Sequence, residues 1–168
     1  VDPLDGTKEF VKKNDEFSVN IALIHKNMPI LGVVYAPALD VCYWAVKGEG
    51  AFKNGQKLPL KSKEQRKNYK IVVSRSHMSH ETQAFIEQIK TNKKKELISK
   101  GSSLKVCLVA EGEVDIYPRL APTMEWDTGA SHVIVNESGM KLRGFVDNSY
   151  TNFLYNKENL LNSEFIVA

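Results

Sequence analysis

The sequence predicts an α/β fold, and three stretches predict it. In EFSVNIALIHK, Phe17, Val19, Ile21 and Leu23 recur at every second position, the period of a half-buried strand. In WDTGASHVIVNESGM, Ala130, Val133 and Ile134 form one helical stripe, and Gly139 supplies a C-terminal stop. Between them, GSSLKVCLVAEGEVDIYPRL reads as a helix followed by a strand, so both element types are interleaved along the chain.

The elements follow in order from VDPLDGTKEF at the start. Pro3 fixes its own φ and restricts Asp2 before it, so Asp2 and Asp5 stand on a stiff elbow where a chain end would normally fray. Gly6 and Thr7 open a short helix, TKEFVKK. After the strand at Phe17 to Leu23, PILGVVYAPALDVCYWAV reads as two further strands hinged near Pro37 to Asp40. KNG, Lys53 to Gly55, has the composition of a hairpin turn. Lys57 to Lys70 is lysine-rich and weakly patterned, a surface loop with solvated charges. YKIVVSRS restores a strand, and Ser79 can cap a helix whose apolar stripe is Phe85, Ile86 and Ile89. TNKKKE is expected to be a solvated break before the next strand. In the segment after it, Leu104, Cys107 and Leu108 face inward, and Gly112 and Pro118 punctuate the chain. Asp127 falls at the N-cap of the last helix, and the remaining residues read as short strand pieces ending on Phe165 to Val167.

Composition bounds the function. With 168 residues the chain fits one domain, 1–168, large enough to bury ~70% of the surface its unfolded form exposes. Hydrophobic residues at 42% and charged residues at 26% argue against disordered and fibrous classes. Against 23 basic residues stand 20 acidic ones, a balance that excludes a nucleic-acid coat or a membrane footing, so any anion must be held locally. No apolar run approaches the ~20 residues of a membrane span. Cys42 and Cys107 lie in apolar runs without CxxC spacing, and both read as core thiols of a protein in a reducing compartment.

The elbow has a chemical reading. Rigid carboxylates suit hard cations, and Mg²⁺ is held by a few carboxylates together with substrate phosphate oxygens. Gly6 lets the backbone approach a ligand, and the free N–H groups of the helix opened by Gly6 and Thr7 favour an anion, so metal and phosphate converge here. WDTGAS offers another carboxylate, Asp127, at a helix N-terminus whose dipole favours the ionised form. Plainer readings exist for both: Asp-Pro-x-Asp-Gly is also ordinary turn composition, and Asp127 also serves as a simple N-cap.

DPLDGT followed much later by WDTGAS resembles the inositol monophosphatase-like superfamily of Mg²⁺-dependent, lithium-sensitive phosphatases. Within it, DPLDGTKEF, GVVYAPAL, SRSH, GSSLKVCLVAEG and YPR resemble the 3'(2'),5'-bisphosphate nucleotidases over essentially the whole chain. The resemblance implies a layered α+β sandwich of the inositol monophosphatase and sugar phosphatase type. It implies two or more Mg²⁺ ions in the complete enzyme, with Asp2 shared between two metals, Leu4 offering its backbone carbonyl, and Asp5 and Asp127 completing the second site. Thr7 is then expected to position the attacking water, and His77, Ser102, Lys105 and Arg119 to grip the rest of the substrate. The implied reaction is metal-assisted hydrolysis of the 3'-phosphate of 3'-phosphoadenosine 5'-phosphate to give AMP. A sister phosphatase acting on inositol monophosphate or a sugar bisphosphate shares the same elbow, and a non-catalytic fragment or anion-binding module is the reading from another class. The expected compartment is the cytoplasm, with peripheral attachment at the inner membrane as the variant.

One departure from that family bears on all of this. Its members carry, upstream of the elbow, a Gly-Glu-Glu metal motif, a further acidic residue, two long helices and a strand hairpin, and AEGE and KGEG do not replace them. The 168 residues therefore read as the C-terminal portion of a longer enzyme, lacking the N-terminal helices and hairpin of the fold. The expected consequences are an incomplete metal cluster, weak or absent activity, and an uncovered apolar sheet face that pairs two copies or lowers solubility.

Overall fold

The computed structural model describes residues 1–62, 66–75 and 78–168. Twelve strands and four helices are described. Strands β1 (Asp2–Asp5), β2 (Ser18–His25), β3 (Met28–Ala36), β4 (Val41–Val46), β5 (Gly50–Lys53) and β6 (Gln56–Lys57) form one antiparallel sheet in that order. Strands β7 (Asn68–Ser74) and β8 (Lys94–Lys100) pair in parallel, connected through helix α2 (His80–Gln88). Strands β9 (Tyr117–Arg119), β10 (Leu142–Val146), β11 (Ser149–Thr151) and β12 (Phe165–Val167) make a third, antiparallel sheet in the order β11-β10-β12-β9. Helices α1 (Thr7–Val11), α3 (Leu104–Ala110) and α4 (Glu125–Glu137) complete the α+β arrangement.

Local chemistry accounts for the connections. Asn54 and Gly55 both adopt positive φ, 45° and 81°, and form the two-residue loop that joins Lys53 to Gln56, as the KNG turn requires. The Ser79 side chain accepts the Thr82 N–H at 3.2 Å and caps α2, whose Phe85, Ile86 and Ile89 pack on Ile71, Val73, Ile116 and Ile166. Helix α4 lies across the large sheet, with Ala130, Val133 and Ile134 against Val34, Ala45 and Ala51. The approach is close at Gly32, where any Cβ would stand 2.3 Å from the Ala130 carbonyl oxygen.

Four expectations are corrected. The period-2 pattern of β2 is real, but the buried positions are Ser18 and Asn20, with Ala22 and Ile24 packed beside the core, while Ile21 and Leu23 are about half exposed. The sheet register explains this: Ile21 faces Val33, Val33 faces Trp44 and Trp44 faces Phe52, one row of an apolar face left partly exposed among the described residues. Trp44 and Phe52 stack on that face with centroids 4.3 Å apart. Cys42 belongs to the same face and is only partly buried, so Cys107 alone is a core thiol. TNKKKE is not all a break, because Lys94 to Glu96 already pair with β7; the Lys95 ammonium donates to the Ile86 and Glu87 carbonyls at the end of α2. Finally, residues 63–65 of the 57–70 stretch lie outside the described residues, and three of its described charges are not simply solvated: Lys61 and Lys70 pair with Glu113, and Arg66 with Asp115. The hydrogen bonds from Lys61 and Lys70 hold the Glu113 carboxyl down at about 2.

Candidate metal and phosphate site

The pairing of β1 explains how the elbow works. Strand β1 is the edge of the large sheet, where Pro3 costs no interior hydrogen bond. Asp2 stands opposite Asn20 and Asp5 opposite Ser18, so three steps along β1 match two along β2. Residues three apart on a regular strand point to opposite faces; the bulge turns both carboxylates to one side. Gly6 follows at φ 85°, a left-handed conformation that favours glycine, and reverses the chain into α1.

The third carboxylate arrives from α4. Asp127 is not the N-cap of that helix: Met124 is, and Asp127 sits in the first turn with its carboxylate accepting the Met124 N–H at 2.8 Å. One oxygen each of Asp2, Asp5 and Asp127 lies within 4.8 Å of the others, so the two motifs read from opposite parts of the sequence meet in space.

Among the described residues, each carboxylate has one oxygen held and one left open. Asp2 Oδ1 accepts the Leu4 N–H at 3.1 Å. Asp5 Oδ2 accepts from the Asn20 amide at 3.2 Å, the Ser102 hydroxyl at 2.9 Å, and the Ser103 N–H and hydroxyl at 2.6 and 2.7 Å. Among the described residues, the other oxygens of Asp2, Asp5 and Asp127 accept no hydrogen bond. Three hard anionic oxygens on fixed backbone are a donor set for a Mg²⁺-type ion, so the residues present fit the group that the resemblance implies.

The electrostatics point the same way. Burial, reinforced by the Asp5 and Asp2 charges, pushes Asp127 up to about 6 against the hydrogen bond from Met124. Burial and the Asp5 charge likewise raise Asp2. The expectation that a helix dipole keeps Asp127 readily ionised is thus corrected: in the metal-free chain, desolvation and like-charge repulsion outweigh it. A divalent cation relieves both.

A cleft of about 310 Å³ opens beside the carboxylates, lined by Asp5, Gly6, Thr7, Ser102, Lys105, Arg119 and Asp127 with their neighbours. Lys105 is deeply buried there; desolvation lowers it to about 8, and its ammonium donates to the Ser102 carbonyl at 2.5 Å. Arg119 ends β9 and donates to the Pro122 carbonyl at 3.2 Å. The Ser102 hydroxyl meets Asp5 and lies 2.5 Å from the Ser18 hydroxyl, so it faces the carboxylates. Thr7 opens α1 with its hydroxyl 3.4 Å from the Leu4 carbonyl. His77 lies outside the described residues. Sequence reasoning missed Asn20 and Ser103, which orient Asp5, and Glu9, which lines the cleft. For Asn20 a signal existed: Ser18 and Asn20 are the polar side of a strand whose other side is apolar.

Comparison with known proteins fits this geometry. A family model described as the inositol monophosphatase family matches residues 1–165. The chain is 48% identical over 141 residues to the 3'(2'),5'-bisphosphate nucleotidase CysQ of Salmonella typhimurium, covering 83% of the chain and 55% of that protein. It is 45% identical to the protein of the same name from Buchnera aphidicola, covering 100% of the chain and 63% of the relative. The crystal structure of CysQ from Bacteroides thetaiotaomicron superimposes with a TM-score of 0.91 at 45% identity, covering 99% of the chain and 68% of that structure. The chain thus spans between about half and two thirds of the length of these two curated relatives.

The charge cluster gives a direct prediction. Asp127 holds its proton more tightly in the metal-free fold than in the unfolded chain. Its contribution to stability is therefore present below the ordinary value of 3.8 and is lost as pH rises to about 6. At pH 8 in the presence of a chelator, Asp127→Asn is expected to melt a few degrees above the parent and to gain nothing from added Mg²⁺, whereas the parent gains. Thermal denaturation followed by circular dichroism, with and without Mg²⁺, checks both halves; a variant that melts below the parent and still responds to Mg²⁺ contradicts the reading.

Proposed function

Because the chain belongs to the inositol monophosphatase family, we propose that it acts in a Mg²⁺-dependent phosphomonoesterase of the cytoplasm that hydrolyses the 3'-phosphate of 3'-phosphoadenosine 5'-phosphate. The observation that carries this reading is the set of open carboxylate oxygens of Asp2, Asp5 and Asp127 beside a cleft whose lining includes the cationic side chains of Lys105 and Arg119. One cluster suits a metal with a phosphate; the cations suit a second anionic group on the same substrate. The similarity to proteins named 3'(2'),5'-bisphosphate nucleotidase supports the choice of substrate.

In this reading Asp2, Asp5, Asp127 and the Leu4 carbonyl would hold two or more Mg²⁺ ions. When bound, Mg²⁺ supplies charge neutralisation at the phosphoryl oxygens and activation of water near neutral pH. The chain's own residues do the rest. The Gly6 turn and the first N–H groups of α1 seat the 3'-phosphate, and the Thr7 hydroxyl, close to the Leu4 carbonyl, orients the attacking water. Lys105, Arg119, Ser102 and His77 receive the nucleotide's remaining groups. The charge of an arriving anion opposes the desolvation that lowers Lys105 to about 8, so the lysine binds as a full cation.

Phosphate release tests this. The protein encoded by the complete open reading frame that contains this chain is expected to release phosphate from 3'-phosphoadenosine 5'-phosphate only with Mg²⁺, and at least tenfold faster than from inositol 1-phosphate. Lys105→Met is expected to raise KM for the nucleotide by about 10–100-fold, the loss of one charge-assisted phosphate contact of roughly 1.5–3 kcal/mol. Equal or faster turnover of the inositol ester overturns the substrate assignment in favour of the sister phosphatases, and Mg²⁺ and nucleotide binding without turnover favours a non-catalytic module.

The uncovered face of the large sheet supports one partner, a second copy of the chain. The Ile21, Val33, Trp44 and Phe52 row is flanked by Val19, Tyr35 and Cys42 on one side and by Leu23, Leu31 and Val46 on the other. Exposed apolar surface of this continuity marks an interface. Sedimentation of this chain is expected to give a dimer that Ile21→Lys with Trp44→Lys converts to monomer; a parent that stays monomeric at high concentration contradicts the pairing.

A further inference from the structure

Glu16 takes no part in the reading above, yet it is only 7% exposed and carries more ionic contacts than any carboxylate of the cluster. It lies in the loop between α1 and β2. Its Oε2 accepts the Gly101 N–H at 2.9 Å and the Arg75 Nε at 3.2 Å. Its Oε1 accepts from the Arg75 Nη2 at 2.8 Å and pairs with the Lys100 ammonium at 3.2 Å. Arg75 and Lys100 directly follow or end the parallel strands β7 and β8, so one carboxylate fastens both strand ends. Burial alone would raise this carboxyl; the contacts from Arg75, Lys100 and Gly101 outweigh it and hold it below its ordinary value.

The Gly101 contact is the informative one. A cation pair needs no backbone N–H, but the Gly101 N–H opens the three-residue loop that supplies most of the donors to Asp5. Ser102 sits at φ 55° in that loop, and with Ser103 it delivers three of the hydrogen bonds to Asp5 Oδ2. The Ser103 hydroxyl also reaches the Asp127 carbonyl at 2.8 Å, so the loop touches two of the three metal-facing residues. The main chain of Glu16 is wedged beside the same loop: its carbonyl oxygen would stand 2.9 Å from a Cβ at Gly101 and 3.0 Å from one at Gly6.

We infer that Glu16 is a positioning residue for the metal site: by accepting the Gly101 N–H between two cations, it sets the 101–103 loop that aims Asp5. The inference rests on the metal reading of Asp2, Asp5 and Asp127, and acts at the same site. Glu16 touches neither metal nor substrate in this scheme. Partners in that outer layer change metal affinity by about 10–100-fold when removed, because the ligand they orient becomes free to turn.

The test uses this chain, Mg²⁺ alone as the probe, and two variants. Glu16→Ala is expected to weaken Mg²⁺ binding by at least tenfold in calorimetry and to speed amide exchange at Gly101 and Ser103. Glu16→Gln keeps an acceptor for the Gly101 N–H while losing the charge, and is expected to restore Mg²⁺ affinity to within a few-fold of the parent and to keep both amides protected, although its melting temperature falls. A purely structural ion pair predicts the opposite, with Gln failing as Ala does. Glu16→Ala that stays folded with unchanged Mg²⁺ affinity and unchanged exchange overturns the inference, as does Glu16→Gln with the full loss. Should Glu16→Ala not fold, the parent itself decides: rapid exchange at Gly101 alongside a protected Ser103 overturns the inference, and joint slow exchange with Glu16→Gln rescue supports it. None of these readouts uses nucleotide turnover, so a failure of the proposed activity is separable from a failure here; should the parent not bind Mg²⁺, the exchange data still judge the loop.

Discussion

Three like charges held within a few ångströms of one another are the constraint around which this molecule is arranged. Asp2, Asp5 and Asp127 repel, and two of them sit where burial already disfavours the ionised form. The fold holds them there regardless. Asp2 and Asp5 are turned together by a bulge in an edge strand, Asp5 is fixed by donors from β2 and from the 101–103 loop, and Asp127 is fixed to the start of a helix that packs on the large sheet. Such an arrangement is costly without a cation and favourable with one, which is the signature of a site shaped for an ion.

The cationic half of the cleft mirrors the acidic half. Desolvation pushes Asp127 up and Lys105 down, each toward its neutral form. Both shifts have one cause, removal from water, and both are relieved by a ligand of opposite charge. A metal with a phosphate on one side and a second anionic group on the other satisfies all these groups at once. The same logic explains why the residues holding Asp5 are neutral hydroxyls and amides: they fix the carboxylate without discharging it, leaving its charge for the ion.

The elbow and the WDTGAS helix were legible in the sequence because their stiffness and their residue types are local properties, as were the KNG turn and the Ser79 cap. What escaped depends on distant pairing. The polar side of β2 is buried because Ser18 and Asn20 meet Asp5 and residues 102–103, more than 80 positions later; no local pattern says which side of an alternating strand faces the core. Residue type alone marks Asp127 as a cap, whereas the chain enters the helix three residues earlier, at Met124. Lys94 to Glu96 read as solvated because strand pairing at an edge tolerates lysine. Glu16 was silent in the sequence, since a lone glutamate in a charged loop carries no signal until its two cations and one N–H are brought together.

The account stands or falls on whether those three carboxylates share a cation. Anomalous scattering from crystals grown with Mn²⁺, a hard ion of the same ligand preference, tests it most directly. The account predicts a strong anomalous peak within coordination distance of Asp2, Asp5 and Asp127. A map in which Mn²⁺ binds elsewhere on the molecule, leaving the space between these carboxylates without a peak, would contradict it.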